Sequence, residues 1–293
     1  MFIKAIETVD QFTRPVHTIS RTYGGLLSPG SSTLFFVNED GVAITCKHVL
    51  QMINNAELLN QRFLSFKTEK NQLAKDDNYQ GNLAALETKY GYRDETTVQL
   101  KINFLNSVDS GNFKFIEHPT IDLAIIRFEG FTRTFYSSHA TFVKNPEKVK
   151  QGKSLCRLGY PFPEFNNFRL NQATDDIEWT KEGIQNSPKF PLDGIITRFG
   201  SDGKQVISIE MSTPGLRGQS GGPLFDSDGL VYGMQHMTSH LHLGFDIADK
   251  EMIIDGKKTR ISNYPFIHVG HCIHVDRITE FLRQNNIKFY QED

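Results

Sequence analysis

The chain has 293 residues, 38% of them hydrophobic and 23% charged, a globular composition able to bury a sizeable core. Lys and Arg number 32 against 34 Asp and Glu, for a net charge of −2, so no basic excess points to nucleic acid and no acidic tail to a solvating role. The longest apolar runs, such as Leu34-Phe35-Phe36-Val37, fall far short of the ~18 residues a spanning helix needs, so no membrane partner is expected.

From the N-terminus, MFIKAIETVDQFTRP carries Glu7 and Asp10 inside any apolar stretch and is followed by no small-residue cleavage site. It does not read as a secretory signal, and the expectation is a cytoplasmic protein. Three cysteines, Cys46, Cys156 and Cys272, are odd in number and widely spaced, which predicts free thiols in a reducing compartment. Short apolar runs separated by turn residues then dominate. Ser32–Val37 and Val42–Thr45 flank Asn38-Glu39-Asp40-Gly41, a hairpin signal. Similar runs occur at 123–128, 154–158, 194–198, 206–210, 223–225 and 230–234, the last following an Asp228-Gly229 turn. Many short strands with regular turns predict an all-β sandwich or barrel. Two segments differ. Residues 56–92 are charged and rich in helix formers, predicting one or two surface helices inserted between strands. Residues 276–286 place Ile278, Phe281 and Leu282 at helical spacing behind Asp276, predicting a C-terminal amphipathic helix capped by that aspartate.

The segment with the most chemical content is Gly218-Gln219-Ser220-Gly221-Gly222-Pro223. An acyl-transfer serine must present its oxygen at a tight turn, with backbone N–H groups beside it for a developing oxyanion. Gly218 can take the backbone angles that aim an N–H inward, and Gly221 and Gly222 leave room for a substrate backbone. A serine needs a base, and Val42–Leu50 places His48 at the end of an apolar strand. The base needs an orienting acid, and Thr120-Ile121-Asp122-Leu123-Ala124-Ile125-Ile126 places Asp122 at the start of another, where a carboxylate is costly to bury alone.

In this order, ITCKHV, TIDLAII and GQSGGPLF resemble the histidine, aspartate and serine motifs of the chymotrypsin-like (trypsin-fold) serine endopeptidases. Leu158-Gly159-Tyr160-Pro161 is similar to the "GYP" turn of bacterial trypsin-like peptidase domains and of high-temperature-requirement proteases. Asp193–Arg198 and Pro214-Gly215 also fit them. The resemblance spans about residues 15–285 and is sharp only at these motifs. It implies two six-stranded antiparallel β-barrels, here residues 1–135 with the helical insertion at about 56–92, and residues 136–293 with the terminal helix, forming one peptidase unit. It implies a serine endopeptidase acting on a protein or peptide, with His48, Asp122 and Ser220 as triad, the amides of Gly218 and Ser220 as oxyanion hole, and no cofactor. The interval between His48 and Asp122 is longer than the family usually shows, and the insertion accounts for the excess. A lid, a docking surface for an activating partner and an inert decoration are its candidate roles.

The resemblance also shows departures. Gln219 stands where digestive trypsins carry an aspartate that pairs with a newly cut N-terminus, so no switch by N-terminal cleavage is expected. Pro214 stands where trypsins selecting Arg or Lys carry an aspartate. Gln235 matches the position of a histidine in glutamyl endopeptidases, while His236 is one residue out of register and by strand parity leans toward Asp122. Pro214, Gln235, His236 and His271 are therefore the expected substrate-binding residues, suiting a polar or small side chain. His236, His240, His242, His268, His271, Cys272 and His274 crowd the C-terminal region without a tight metal-binding spacing, and no metal is expected. A catalytically latent protease-fold binding module and an esterase with the same triad are the competing readings.

Overall fold

The computed structural model describes residues 2–243, 247–254, 256–263 and 266–293. It begins with helix α1 (Ile3–Asp10), followed by β1 (Thr13–Thr22), β2 (Leu27–Phe36) and β3 (Val42–Thr45). Two helices, α2 (Lys47–Gln72) and α3 (Tyr79–Tyr90), interrupt the strands before β4 (Thr97–Phe104), β5 (Phe113–Glu117) and β6 (Ala124–Phe128). These six strands form one antiparallel sheet in the order β4-β1-β2-β3-β6-β5.

The second half contains β7 (Thr141–Val143), β8 (Ser154–Gly159), a β9 (Phe168–Asn171) and β10 (Asp176–Trp179) hairpin, β11 (Phe190–Ser201), β12 (Val206–Met211), β13 (Pro223–Phe225) and β14 (Val231–His242). A second hairpin, β15 (Ile247–Ile254) and β16 (Lys257–Asn263), precedes β17 (Phe266–His274), α4 (Val275–Gln284) and β18 (Tyr290–Glu292). Strands β13-β8-β11-β12-β17-β14 run antiparallel, and a β13–β14 pairing closes them into a six-stranded barrel. Strands β7 and β18 extend β14 in parallel, a departure from the purely antiparallel expectation. The first sheet curls without a ladder joining its edges β4 and β5.

Helix α2 lies along the β4 edge. Asn60 donates to the Leu100 carbonyl at 2.9 Å and accepts from the Leu100 amide at 3.0 Å, so its side-chain amide takes the place of a neighbouring strand. The expected insertion at 56–92 is helical, but the helix begins at Lys47, well before residue 56. Its inner face packs Phe63 and Phe66 against Leu86 of α3, Tyr92 and Val98, a satellite core under the insertion. Gly91 ends α3 in the left-handed region at φ +66°, where glycine is favoured.

Both sheets share one main core, from Leu34, Phe36, Ile44 and Ile126 to Leu158, Phe225, Met234 and Ile273. Helix α4 buries Ile278, Phe281 and Leu282 as the spacing predicts, against β14, β17 and β7. Its cap differs from expectation: His274, not Asp276, is the N-cap, its ring nitrogen accepting from the Asp276 amide at 3.2 Å. All three cysteines are buried and free. Among the described residues no helix is long and apolar enough to cross a membrane.

Candidate active site

His48 occupies the first turn of α2, not the end of β3 as its apolar approach suggests. Thr45 closes the strand, Cys46 turns the chain in extended conformation, and the helix then sets His48 in a groove shared with residues of β12, β14 and β17. Asp122 lies in the bend just before β6, which pairs with β3 and so faces the start of α2. Both carboxylate oxygens hold the histidine. Oδ1 accepts from the His48 backbone amide at 2.9 Å, and Oδ2 pairs with Nδ1 at 2.8 Å. His236 on β14 approaches the same Oδ2 to 3.7 Å, as parity suggested. Burial alone would raise the Asp122 carboxyl, but hydrogen bonding from His236, the His48 ring and the His48 amide holds it well below the ordinary carboxylate range. The His48 ring is half exposed, and its Nε2 makes no hydrogen bond among the described residues.

Ser220 lies in the loop between β12 and β13. The loop is braced from within by Gln219, which is fully buried. Gln219 Oε1 accepts from the Leu216 amide at 3.0 Å, and its Nε2 donates to the Phe190 carbonyl at 3.1 Å. A neutral side chain tied within its own barrel thus fills the position before the serine. Gly218 has φ +90°, and a Cβ there would lie 2.4 Å from the Tyr160 carbonyl oxygen, so the Tyr160-Pro161 turn seats the loop only against glycine. The amides of Gly218 and Ser220 donate no hydrogen bond to the described residues, leaving two adjacent backbone donors free.

Thr33 on β2 joins the two halves at this point. Its amide donates to the Ser220 carbonyl at 3.0 Å, and its hydroxyl donates to the Gly218 carbonyl at 2.7 Å and accepts from the Tyr160 amide at 3.2 Å. Its own carbonyl accepts from Thr45 Oγ1 at 2.7 Å. Gly221, at φ +87°, fits between them, since a Cβ there would be 2.0 Å from the Thr33 carbonyl and 2.4 Å from Thr45 Oγ1. Cys46 donates to the Gln235 carbonyl at 3.3 Å, and that same carbonyl accepts from the Gly221 amide at 2.9 Å. The residues flanking Ser220 are thus pinned to those that launch the His48 helix. No hydrogen bond joins Ser220 to His48 directly.

The four expected substrate-binding residues separate. His236, Met237, Ile121, Ile207 and Ile273 line, with His48 and Asp122, a mainly apolar groove of about 520 Å³. Pro214 lies half-buried in the loop before the serine. Gln235 is 2% exposed, and its amide is engaged inside the protein, accepting from Arg157 Nη1 at 2.7 Å and donating to the Met237 carbonyl at 2.7 Å. The substrate-facing amide expected from the sequence is therefore an interior one. His271 comes within 4.0 Å of Glu210 Oε2 and is not among the residues that line the groove. The histidine cluster disperses along β14 and β17, where His240 and His268 face each other with Nδ1 atoms 2.5 Å apart. Sequence reasoning missed Thr33, Arg157 and Thr238, whose hydroxyl accepts from the Gly215 amide at 2.9 Å and donates to its carbonyl at 2.7 Å. Only Arg157 left a signal, as a lone cation within an apolar strand. A larger concavity of about 1050 Å³, between α2, β4 and the approach to β5, contains none of His48, Asp122 and Ser220.

Comparison with known proteins agrees with this architecture. No curated protein sequence matches the chain. Among solved structures, the HtrA-type protease AlgW with a decapeptide aligns over 97% of this chain and 67% of its own, at TM-score 0.50 and 12% identity. A variant of AlgW with a tripeptide aligns over 98% of this chain at TM-score 0.50 and 11% identity; this chain spans 64% of that protein's length. The likeness is one of fold. A family model described as a trypsin-like peptidase domain matches residues 32–234, more than half of the sequence and every motif from the His48 helix to the Ser220 loop. The chain belongs to the trypsin-like peptidase domain family.

Proposed function

We propose that the protein is a serine endopeptidase in which Ser220 is the nucleophile, His48 the general base and acid, and Asp122 the residue that orients and charges the histidine. The observation that carries this reading is the two-point grip of Asp122 on His48 beside a loop with two free amides. With Nδ1–H donated to the carboxylate, Nε2 is left basic and faces the crevice. It takes the Ser220 proton as Oγ attacks the scissile carbonyl. The Gly218 and Ser220 amides hold the oxyanion, at a worth of about 3 kcal/mol. The imidazolium then protonates the leaving amine, and water enters to hydrolyse the acyl-enzyme by the same steps in reverse. The apolar groove beside His48 suits a side chain of an extended peptide, and the related AlgW structures contain peptides.

Gln219 supports control by something other than N-terminal cleavage. The α2–α3 insertion, with its concavity on the side of β4, is the proposed docking surface for an activating or substrate protein. Three buried thiols suit a reducing, cytoplasmic setting, and the α2–α3 insertion suits a dedicated regulatory or defence role. The second reading, a latent binding module, is favoured by the missing Ser220–His48 hydrogen bond. Purified protein and its Ser220→Ala form, treated with a fluorophosphonate and with a proteome-derived peptide library, separate the two. Labelling and cleavage by the wild type alone are expected; neither reaction in either form would leave the binding module standing.

A further inference from the structure

Arg157 is fully buried in β8, and no carboxylate pairs with it among the described residues. Its guanidinium meets neutral acceptors only. Nη1 donates to Gln235 Oε1 at 2.7 Å, and Nη2 donates to the Thr213 carbonyl at 3.0 Å and to Thr213 Oγ1 at 2.5 Å. Nε has no partner. A buried cation without a counter-charge is costly, and departures of this kind concentrate at functional or strained sites.

The surroundings say where that charge is felt. A Cβ on Gly270 would lie 2.1 Å from Arg157 Nη1, and one on Gly215 would lie 2.2 Å from Gln235 Nε2, so only glycines let the guanidinium and the Gln235 amide pack directly against these two backbones. Gly270 donates to the Thr213 carbonyl at 2.9 Å, which fixes β17 to the segment leading into the serine loop. Gln235 is held to that loop on both sides, its carbonyl accepting from the Gly221 amide at 2.9 Å and its amide donating to the Gly222 carbonyl at 2.8 Å. Between the guanidinium and the residues flanking Ser220 there is thus one amide side chain.

We propose that Arg157 is the specificity-determining cation of this peptidase, selecting a carboxylate side chain, Asp or Glu, on the residue that donates its carbonyl to Ser220. The proposal rests on the peptidase reading. Gln235 Oε1 holds the place of a substrate carboxylate oxygen. When an acidic side chain enters between Gly215 and β14, parting the Thr238 bridge, it takes over Nη1 and supplies the missing counter-charge as a charge-assisted hydrogen bond. A lysine or arginine would be repelled there, and a neutral isostere would leave the guanidinium uncompensated.

The test uses acetyl-Ala-Ala-Pro-Xaa aminomethylcoumarin amides, in which Xaa is Glu, Asp, Gln, Leu or Lys and the cleaved bond is fixed by construction. In the wild type, kcat/KM for Glu or Asp is expected to exceed that for Gln by at least about tenfold. Arg157→Met should bring this ratio near one. Gln235→Glu is nearly isosteric and gives the guanidinium an internal partner, so it should abolish the acidic preference even if the methionine variant folds poorly; thermal melts establish which variants are folded. A wild-type ratio of one or less, or an acidic preference that survives both substitutions, overturns the proposal. Anisotropy titrations of the same peptides, dye-labelled, on Ser220→Ala read the preference without turnover. If no form cleaves or takes a fluorophosphonate, the peptidase reading fails, and the Glu-to-Gln binding ratio still decides whether Arg157 selects acids.

Discussion

Asp122→Asn changes one atom of the carboxylate, and its effect follows from the two hydrogen bonds that atom pair makes. The His48 backbone amide, 2.9 Å from Oδ1, can only donate. An asparagine must therefore keep its oxygen there, because turning its NH2 toward that amide would face two donors at a cost of about 1–3 kcal/mol. The NH2 then falls opposite His48 Nδ1, where Oδ2 accepted at 2.8 Å. Nδ1 becomes an acceptor, the ring proton moves to Nε2, and under the proposed mechanism that nitrogen can no longer take the Ser220 proton. A forced wrong tautomer costs about 10⁴ in kcat at neutral pH, or roughly 5 kcal/mol of barrier. The amide is nearly the same size, so the melting temperature should change little in comparison. Measured side by side, fluorophosphonate inactivation and peptide turnover at pH 7.5 should both fall by that order. A variant within about tenfold of wild type would refute the claim that Asp122 sets the state of His48.

Gly221→Ala should cost about 3 kcal/mol, from its left-handed backbone and the 2.0 Å approach to the Thr33 carbonyl, and should abolish turnover. Gly152→Ala, at φ +86° with open space around it, is the control, and should cost only the ~1–2 kcal/mol of backbone strain; equal urea midpoints for the two would contradict the packing argument. His17 is buried against Phe165 and bonded to Ser187 Oγ, and burial holds its pKa down to about 4. The unfolded chain, with an ordinary histidine near 6.5, takes up the proton first, so stability falls as pH drops from about 6.5 to 4, by on the order of 3 kcal/mol. Urea melts at pH 7.5 and 4.5 should show this loss shrinking in His17→Gln, and an unchanged pH dependence would refute the assignment. Phe66→Ala, removing a ring packed among Tyr23, Tyr90 and Tyr92, should lower stability by about 3–5 kcal/mol while leaving cleavage of a short peptide unchanged; loss of both would mean that the insertion supports the crevice.

The motifs that carry backbone demands were legible from the sequence. Gly218, Gly221 and Gly222 cannot be replaced without collisions of 2.0–2.4 Å, and such positions announce themselves as glycines in a fixed frame. His48 and Asp122 were found by their apolar flanks, yet the flanks misled about local structure: Val42–Thr45 reads as a strand whether or not a helix follows, and nothing at Cys46 marks a cap. The orientation of Gln235 depends on Arg157, dozens of residues away in the chain and adjacent only after β8 and β14 have joined one barrel. The open edge of the first sheet was likewise hidden, because Asn60 substitutes for a strand with a side chain. Contacts made by pattern can be read locally; those made by one residue standing in for another need the fold.

Thr33 has a kinetic consequence. Its four hydrogen bonds tie Ser220, Gly218 and Tyr160 of the C-terminal half to Thr45 beside the histidine helix. The fourth joins β2 to neighbouring β3, and the first three connect β2 of the first sheet to the C-terminal half across well over a hundred residues of sequence. Such distant closures form late in folding. The Ser220 loop therefore takes its shape only after the two halves dock, and a C-terminal barrel refolded alone would carry the serine without its geometry. In a refolding time course, fluorophosphonate reactivity would trail the recovery of β-sheet signal, and mixing separately expressed halves would restore reactivity at a rate set by their association.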